Sequence, residues 1–499
     1  MSHTPPTLTI ETMFPAISKK SSSIVALIKV AHPAMAEIKS ARTRLNIVFA
    51  IDISGSMSSR LQNSAPLPPP LNLFARPSVP PTFGTPAPTP VPGTPWPMPG
   101  ADPLGPWLGV RAQDVPLQNG PQQMLGAIYF QPQLQQLVQQ LQYCSKLDRV
   151  KSAAINAIQQ LSADDRFGVV SFDSYVSTVV ESTLATPQAK ADAIASITAL
   201  KTGSSTALHA GWKGAAEMVC KNLDAKMVNR VLLLTDGEAT DGIKDTQTLS
   251  KHASTMAEHG VTTSTFGVGD QYNETLLQKM AESGDGRYYY LEGDSNFERL
   301  FAEEFQGMSR LYGSDVRLRV HATSATLELY NDLPVTPQGW KLPNAVHEKV
   351  EYYLVTLKPN KVISDSIDFL VAYDYKHDGV VNTVSIEHTI GVVSEKSFSS
   401  MKENDMVGKK KLELETARAK EKAMAALDRG DYNMSKSILS ASASTISCSA
   451  YATAPEFMAQ SARLETLINV GDTGDHQKLR KMSTHDTYST RNNFADPKK

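Results

Sequence analysis

Asp52, Ser54 and Ser56 stand in the string Asp52-Ile53-Ser54-Gly55-Ser56. Two hydroxyls and one carboxylate, gathered by the bend at Gly55, make a set of hard oxygen donors with low total charge. Such a set suits a magnesium ion, or manganese, that keeps several of its waters. Donors of the same kind occur twice more downstream. Thr206 lies in the small-residue string Thr202-Gly203-Ser204-Ser205-Thr206-Ala207-Leu208, and Asp236 in Thr235-Asp236-Gly237-Glu238.

These residues need elements to position them. Leu45, Ile47, Val48, Phe49, Ala50 and Ile51 form an apolar run that reads as a strand buried on both faces and ending at Asp52. Val231–Leu234 is a second fully apolar strand, ending in Thr235-Asp236. An acid at the end of a buried strand is costly unless something satisfies it. In a doubly wound parallel sheet, sites gather outside the carboxyl ends of the strands, and the Asp52, Thr206 and Asp236 loops all fall on that edge. Arg166–Phe172, Val261–Val268 and Gly286–Leu291 supply further strands. Leu147–Leu161, Pro187–Leu200, Thr246–His259 and Asn273–Ser283 supply helices between them.

Asp52-x-Ser54-x-Ser56, then Thr206, then Asp236, resembles the metal-ion-dependent adhesion site of the von Willebrand factor type A family, of the intracellular bacterial kind. The resemblance spans about 43–60 and 145–311. It implies a magnesium ion held directly by Ser54 and Ser56, with Thr206 joining when a ligand binds and Asp52 and Asp236 acting largely through water. It also implies an open coordination position filled by an Asp or Glu of a partner protein. Intracellular bacterial members work beside ATPases of the AAA+ class or kinase–phosphatase systems, which suggests partners of that type by analogy.

Other chemistries find less support in the residues. Ser54 and Ser56 lack a histidine placed for a triad, and neither G-x-x-x-x-G-K-[ST] nor G-x-G-x-x-G occurs. A haloacid-dehalogenase-like phosphatase would want an aspartate where Ser54 stands. His209 reads as packing or capping, Glu238 and Asp241 as solvated loop charges, and Asp164-Asp165 as the polar end of a helix. No catalytic residue emerges, so the expectation is a binding module and not an enzyme. Two alternatives stay open: a hydrolase using the ion as Lewis acid, and a scaffold in which the ion is only structural.

The chain has 499 residues, 41% apolar and 20% charged, with net charge −2, which gives no global field toward nucleic acid or a membrane surface. Three cysteines, Cys144, Cys220 and Cys448, are odd in number and far apart, which points to reduced thiols in the cytoplasm. The first 25 residues lack a signal-peptide core, and no window of 18 apolar residues suggests a membrane span.

Flanking the type A domain (43–311), residues 1–42 carry strand patterns that need partners. Those partners lie in 312–395, where Val316, Leu318 and Val320 alternate with Arg317 and Arg319 and turn residues punctuate several short runs. The architecture read from this is an α/β doubly wound sheet inserted into an antiparallel β-sandwich. Within the type A domain, 61–122 is a proline-rich insertion: sixteen of the chain's 30 prolines fall between Pro66 and Pro106, a composition that reads as disordered or polyproline II. Residues 405–470 carry helical spacing with Gly430-Asp431 as a break, a helical hairpin or small bundle. The polar tail 471–499 reads as disordered, with Ser483, Thr484, Thr487, Ser489 and Thr490 open to phosphorylation.

Overall fold

The apolar run before Asp52 is β4 (Arg44–Asp52), and every residue from Leu45 to Asp52 is buried. Strands β1 (Thr7–Thr12), β2 (Ile17–Ser18) and β3 (Ile24–Ala31) come before it. The computed structural model describes residues 4–34, 43–59, 145–291, 297–323, 325–360 and 365–494. The proline-rich insertion 61–122 lies outside the described residues.

After β4 the chain forms a turn of 3-10 helix at Gly55–Ser58. It is next described at Ser145, which caps α1 (Lys146–Gln160) through a reciprocal pair of bonds with Asp148. The Lys146 amide donates to the Ser59 carbonyl at 3.0 Å, so the two ends of the intervening segment are held side by side. Then follow β5 (Arg166–Phe172), β6 (Val176–Leu184), α2 (Pro187–Thr198), α3 (Leu208–Cys220), β7 (Met227–Thr235), α4 (Thr246–Glu258), β8 (Val261–Val268), α5 (Glu274–Ser283), β9 (Asp285–Leu291) and α6 (Phe297–Ser309). The sheet order is β6-β5-β4-β7-β8-β9. All neighbours are parallel except β6, which runs antiparallel to β5 at the edge. Leu45, Ile47, Phe49 and Ile51 face α1, α2 and α6, while Val48 and Ala50 face α3, α4 and α5. Helices therefore cover both faces, as a doubly wound sheet requires. The edge strand β6 was not evident in the sequence: Val176-Ser-Thr-Val-Val-Glu-Ser-Thr-Leu184 is half polar and largely exposed.

The chain then supplies β10 (Leu311–Ala322), β11 (Ala325–Leu329), β12 (Val335–Thr336), β13 (Gly339–Lys341), β14 (Ala345–Val346), β15 (Val350–Pro359), β16 (Ser366–His377) and β17 (Val380–Val393). One sheet has the order β1-β3-β15-β11, the other β12-β13-β10-β16-β17-β2, with β14 beside β10. The N-terminal strand β3 sits between β1 and β15, pairing Ile24–Ala31 with Val350–Leu357. Its side chains Ile24, Ala26, Ile28 and Val30 enter a core shared with Val316, Leu318, Val371 and Tyr373 of the other sheet. Val25 and Leu27 point outward, against Val407 and Leu414 of the helix that follows the sandwich. That is why β3 reads as a continuous apolar run.

A charge network is buried in the sandwich. Glu351 lies 3.3 Å from the His32 ring, 3.0 Å from the Lys349 ammonium and 3.0 Å from the Tyr353 hydroxyl. Burial alone would raise the Glu351 carboxyl, but Lys349 and His32 outweigh it and hold the pKa down to about 2.

The C-terminal part is helical: α7 (Asp405–Asp428), α8 (Tyr432–Ser447), α9 (Pro455–Asp472) and α10 (His476–Arg491). The last of these corrects the reading of 471–499 as a disordered tail. Leu479, Met482 and Tyr488 are buried in a core that includes Tyr288, Leu276 and Met280 of the parallel-sheet domain. Lys481 pairs with Glu274 at 3.2 Å and Asp486 with Arg463 at 2.7 Å. Ser483 and Thr487 face inward. The tail composition misleads because four of the seven buried residues of this helix, Lys481, Ser483, His485 and Thr487, are polar. No helix among the described residues is long and apolar enough to cross a membrane.

Two outcomes are expected from this architecture. Because Ser59 and Lys146 are bonded to each other, replacing 63–122 by a short Gly/Ser linker leaves the thermal transition of the chain in place; loss of the transition would contradict the arrangement. The depressed carboxyl pKa means that Glu351 stabilises the fold above its ordinary 4.5 and loses that contribution as pH falls toward 2. Glu351→Gln costs roughly 3–5 kcal/mol at neutral pH and flattens the acid limb of stability against pH, measured by denaturant titration.

Candidate functional site

Four elements meet at the carboxyl edge of the parallel sheet. Neighbouring strands β4 and β7 end in Asp52 and in Thr235-Asp236, and both carboxylates are fully buried. Each acid is satisfied from within the fold. Asp52 Oδ1 accepts the Ser54 amide at 2.8 Å, and Oδ2 accepts the Thr235 hydroxyl at 2.5 Å. Asp236 Oδ1 accepts the Ser56 hydroxyl at 2.7 Å, and Oδ2 accepts the Lys146 ammonium at 2.7 Å. Ser54 Oγ and Ser56 Oγ are 3.1 Å apart. Burial is the main influence on the Asp52 carboxyl; with a smaller push from Asp236 and against the pull of its Thr235 and Ser54 bonds, it raises the pKa to about 6.

The Thr206 loop is fastened to its neighbours by backbone bonds. Gly55 N donates to Ser204 O at 3.0 Å, and Gly203 N donates to Ile53 O at 2.5 Å. The Gly203 position admits no side chain, because a Cβ there would fall 1.9 Å from Asp173 Oδ2. From the other side, Thr206 N donates to Thr240 Oγ1 at 2.8 Å, and Thr240 N donates back to Thr206 O at 3.0 Å. A Cβ on Gly237 would lie 3.4 Å from Thr206 Oγ1 and 3.5 Å from Ser56 Oγ, so both hydroxyls border the same glycine. Asp52, Ser54, Ser56, Thr206 and Asp236 are thereby brought to one small cradle. Its donors are hydroxyl and carboxylate oxygens only, apart from one ammonium. That set fits an oxygen-seeking divalent cation such as magnesium or manganese.

Several residues carry more than their types suggested. Lys146 has no signal in the sequence: a lysine opening an amphipathic helix is ordinary, and nothing in its local pattern points across to Asp236. Thr235 was visible only as a strand end, yet it holds Asp52. Asp241 accepts the Ser205 hydroxyl at 2.9 Å and so helps to fix the Thr206 loop. Asp165, read as a polar helix end, is fully buried and accepts the Leu45 amide at 2.9 Å, anchoring the start of β4. His209 pairs with His252 at 3.3 Å and lies against Trp212; burial, then the neighbouring His252 and Lys213, lower its pKa.

Comparison with known proteins agrees with the fold. Residues 144–303 match the family model of the von Willebrand factor type A domain. The chain is 28% identical over 193 residues to the uncharacterized protein YfbK of Escherichia coli (strain K12), a match covering 38% of this chain and 32% of that protein. It is 34% identical over 166 residues to the uncharacterized protein sll0103 of Synechocystis sp. (strain ATCC 27184 / PCC 6803 / Kazusa), covering 33% of this chain and 38% of that protein. The chain thus spans between 32% and 38% of the length of these relatives. A solved structure of a von Willebrand factor type A protein from Catenulispora acidiphila superposes with a TM-score of 0.61 at 16% identity, covering 97% of this chain and 98% of that one. That likeness is one of fold and extends to the sandwich and the C-terminal helices. Residues 144–303 of this doubly wound domain, which carry Thr206 and Asp236, are the part that matches the von Willebrand factor type A domain, and β4, with Asp52, pairs with β7 in the same sheet.

Proposed function

We propose that this chain is a metal-dependent protein-binding module, an adaptor whose divalent site takes an acidic side chain of a partner. The observation that carries the reading is the convergence of three hydroxyls and two buried carboxylates on one edge of the sheet. Ser54 and Ser56 would hold the ion directly, Thr206 from the neighbouring loop, and Asp52 and Asp236 from behind. A magnesium ion bound there supplies an electrophilic position for a carboxylate oxygen.

The chain's own residues do the rest. The Thr235 hydroxyl and the Ser54 amide fix the Asp52 carboxylate, and the Ser56 hydroxyl and Lys146 fix that of Asp236. The Thr206 loop is locked to its neighbours by Gly55, Gly203 and Thr240. Oxygen donors are therefore pre-positioned before any partner arrives. The reading places the chain in the cytoplasm on the exposed free thiols of Cys220 and Cys448 among the described residues.

The test is calorimetric titration with magnesium and with manganese. Uptake is expected in the micromolar-to-millimolar range of open oxygen sites. Asp52→Ala abolishes it while the circular dichroism spectrum is retained, and partner proteins captured on the wild-type chain are released by a chelator. Unchanged uptake in Asp52→Ala, or capture indifferent to chelator, would contradict the proposal.

A further inference from the structure

The cradle contains a cation of its own. Lys146 opens α1, and its side chain is only 6% exposed while that of Asp236 is fully buried. The ammonium meets Asp236 Oδ2 at 2.7 Å, and the other oxygen of that carboxylate takes the Ser56 hydroxyl. The backbone fixes the point from which this side chain reaches Asp236. Lys146 N is bonded to Ser59 O, and the adjoining Ser145–Asp148 capping pair fixes the first turn of the helix.

The charges can be balanced by inspection. Asp52 and Asp236, when ionised, are two negative charges in one desolvated cradle, and Lys146 cancels one of them. A cavity holding two carboxylates and no ammonium would be neutralised by a divalent ion. With Lys146 present, the same ion leaves a surplus positive charge. Any cation that draws on Asp236 must also share that carboxylate with the ammonium already bonded to it. Like charges confined to one partly desolvated site repel strongly enough to change affinity by about tenfold or more.

We propose that Lys146 is a tethered cation that competes with the divalent ion for Asp236: it keeps the cradle assembled when no divalent ion is bound and lowers the affinity with which one binds. The inference rests on the metal-binding reading above. It assigns the ammonium a share in setting how much free divalent ion the site needs. It also gives the first turn of α1 a direct link to metal occupancy, since loading draws Asp236 away from Lys146. A lysine that merely filled space would leave affinity unchanged when replaced by a neutral side chain of similar length.

The experiment is a magnesium titration by calorimetry of the full chain and of two variants, Lys146→Met, which removes the charge, and Lys146→Arg, which keeps it. Lys146→Met is expected to bind magnesium about tenfold or more tightly than the wild-type chain, with Lys146→Arg at or below wild-type affinity. Binding by Lys146→Met where the wild-type chain shows none would support the same conclusion more strongly. If Lys146→Met does not fold, Lys146→Gln replaces it under the same criterion. Equal or weaker binding by the neutral variant, or equal tightening in Lys146→Arg, overturns the competition and leaves the metal site standing. Absence of magnesium binding in all of the chains overturns both.

Discussion

Two carboxylates, Asp52 and Asp236, are buried side by side at the ends of neighbouring parallel strands, and the rest of the site is arranged around that expense. Neither group has access to water, and each would repel the other if both were ionised without compensation. The Thr235 and Ser56 hydroxyls, the Ser54 amide and the Lys146 ammonium supply that compensation. Such an arrangement holds the oxygen donors in fixed positions at the carboxyl edge of the sheet. It also explains the composition of the loops. Short hydroxyl side chains satisfy the acids without filling the cradle, and Gly203 and Gly237 leave room where a side chain would press on Asp173 or border Thr206 and Ser56.

The scaffold keeps those strand ends in register by burying both faces of the parallel sheet. Helices cover the parallel sheet on both sides. The sandwich takes its N-terminal strands from before the type A domain and the rest from after it, so the two termini of that domain are fixed in one neighbouring unit. The C-terminal helices bridge the two. α7 lies on the outer face of β3 and β15, and α10 packs beside β9 and α5.

Much of this was legible in the sequence. The apolar runs ending at Asp52 and Asp236 are fully buried parallel strands, a pattern with few other meanings at that length. The D-x-S-x-S string pointed to a site only in the company of Thr206 and Asp236, whose loops meet it on the same sheet edge. What the sequence hid has physical reasons. The antiparallel edge strand β6 is half polar because one side meets water. The helix α10 carries buried Ser483 and Thr487 beside Leu479 and Met482, so its apolar stripe is diluted below what periodicity detects. The partnership of Lys146 with Asp236 joins residues 90 positions apart and leaves no local signature. Asp165 and Thr235 act through backbone and side-chain bonds that only the register of β4 reveals.

The central claim is that five oxygen-bearing residues on one sheet edge hold a divalent ion. Crystals of the full chain soaked in manganese test it most directly through the anomalous signal of the metal. The account predicts one strong peak in contact with Ser54 and Ser56, with Thr206, Asp52 and Asp236 around it. A manganese peak elsewhere with none in this cradle would contradict it.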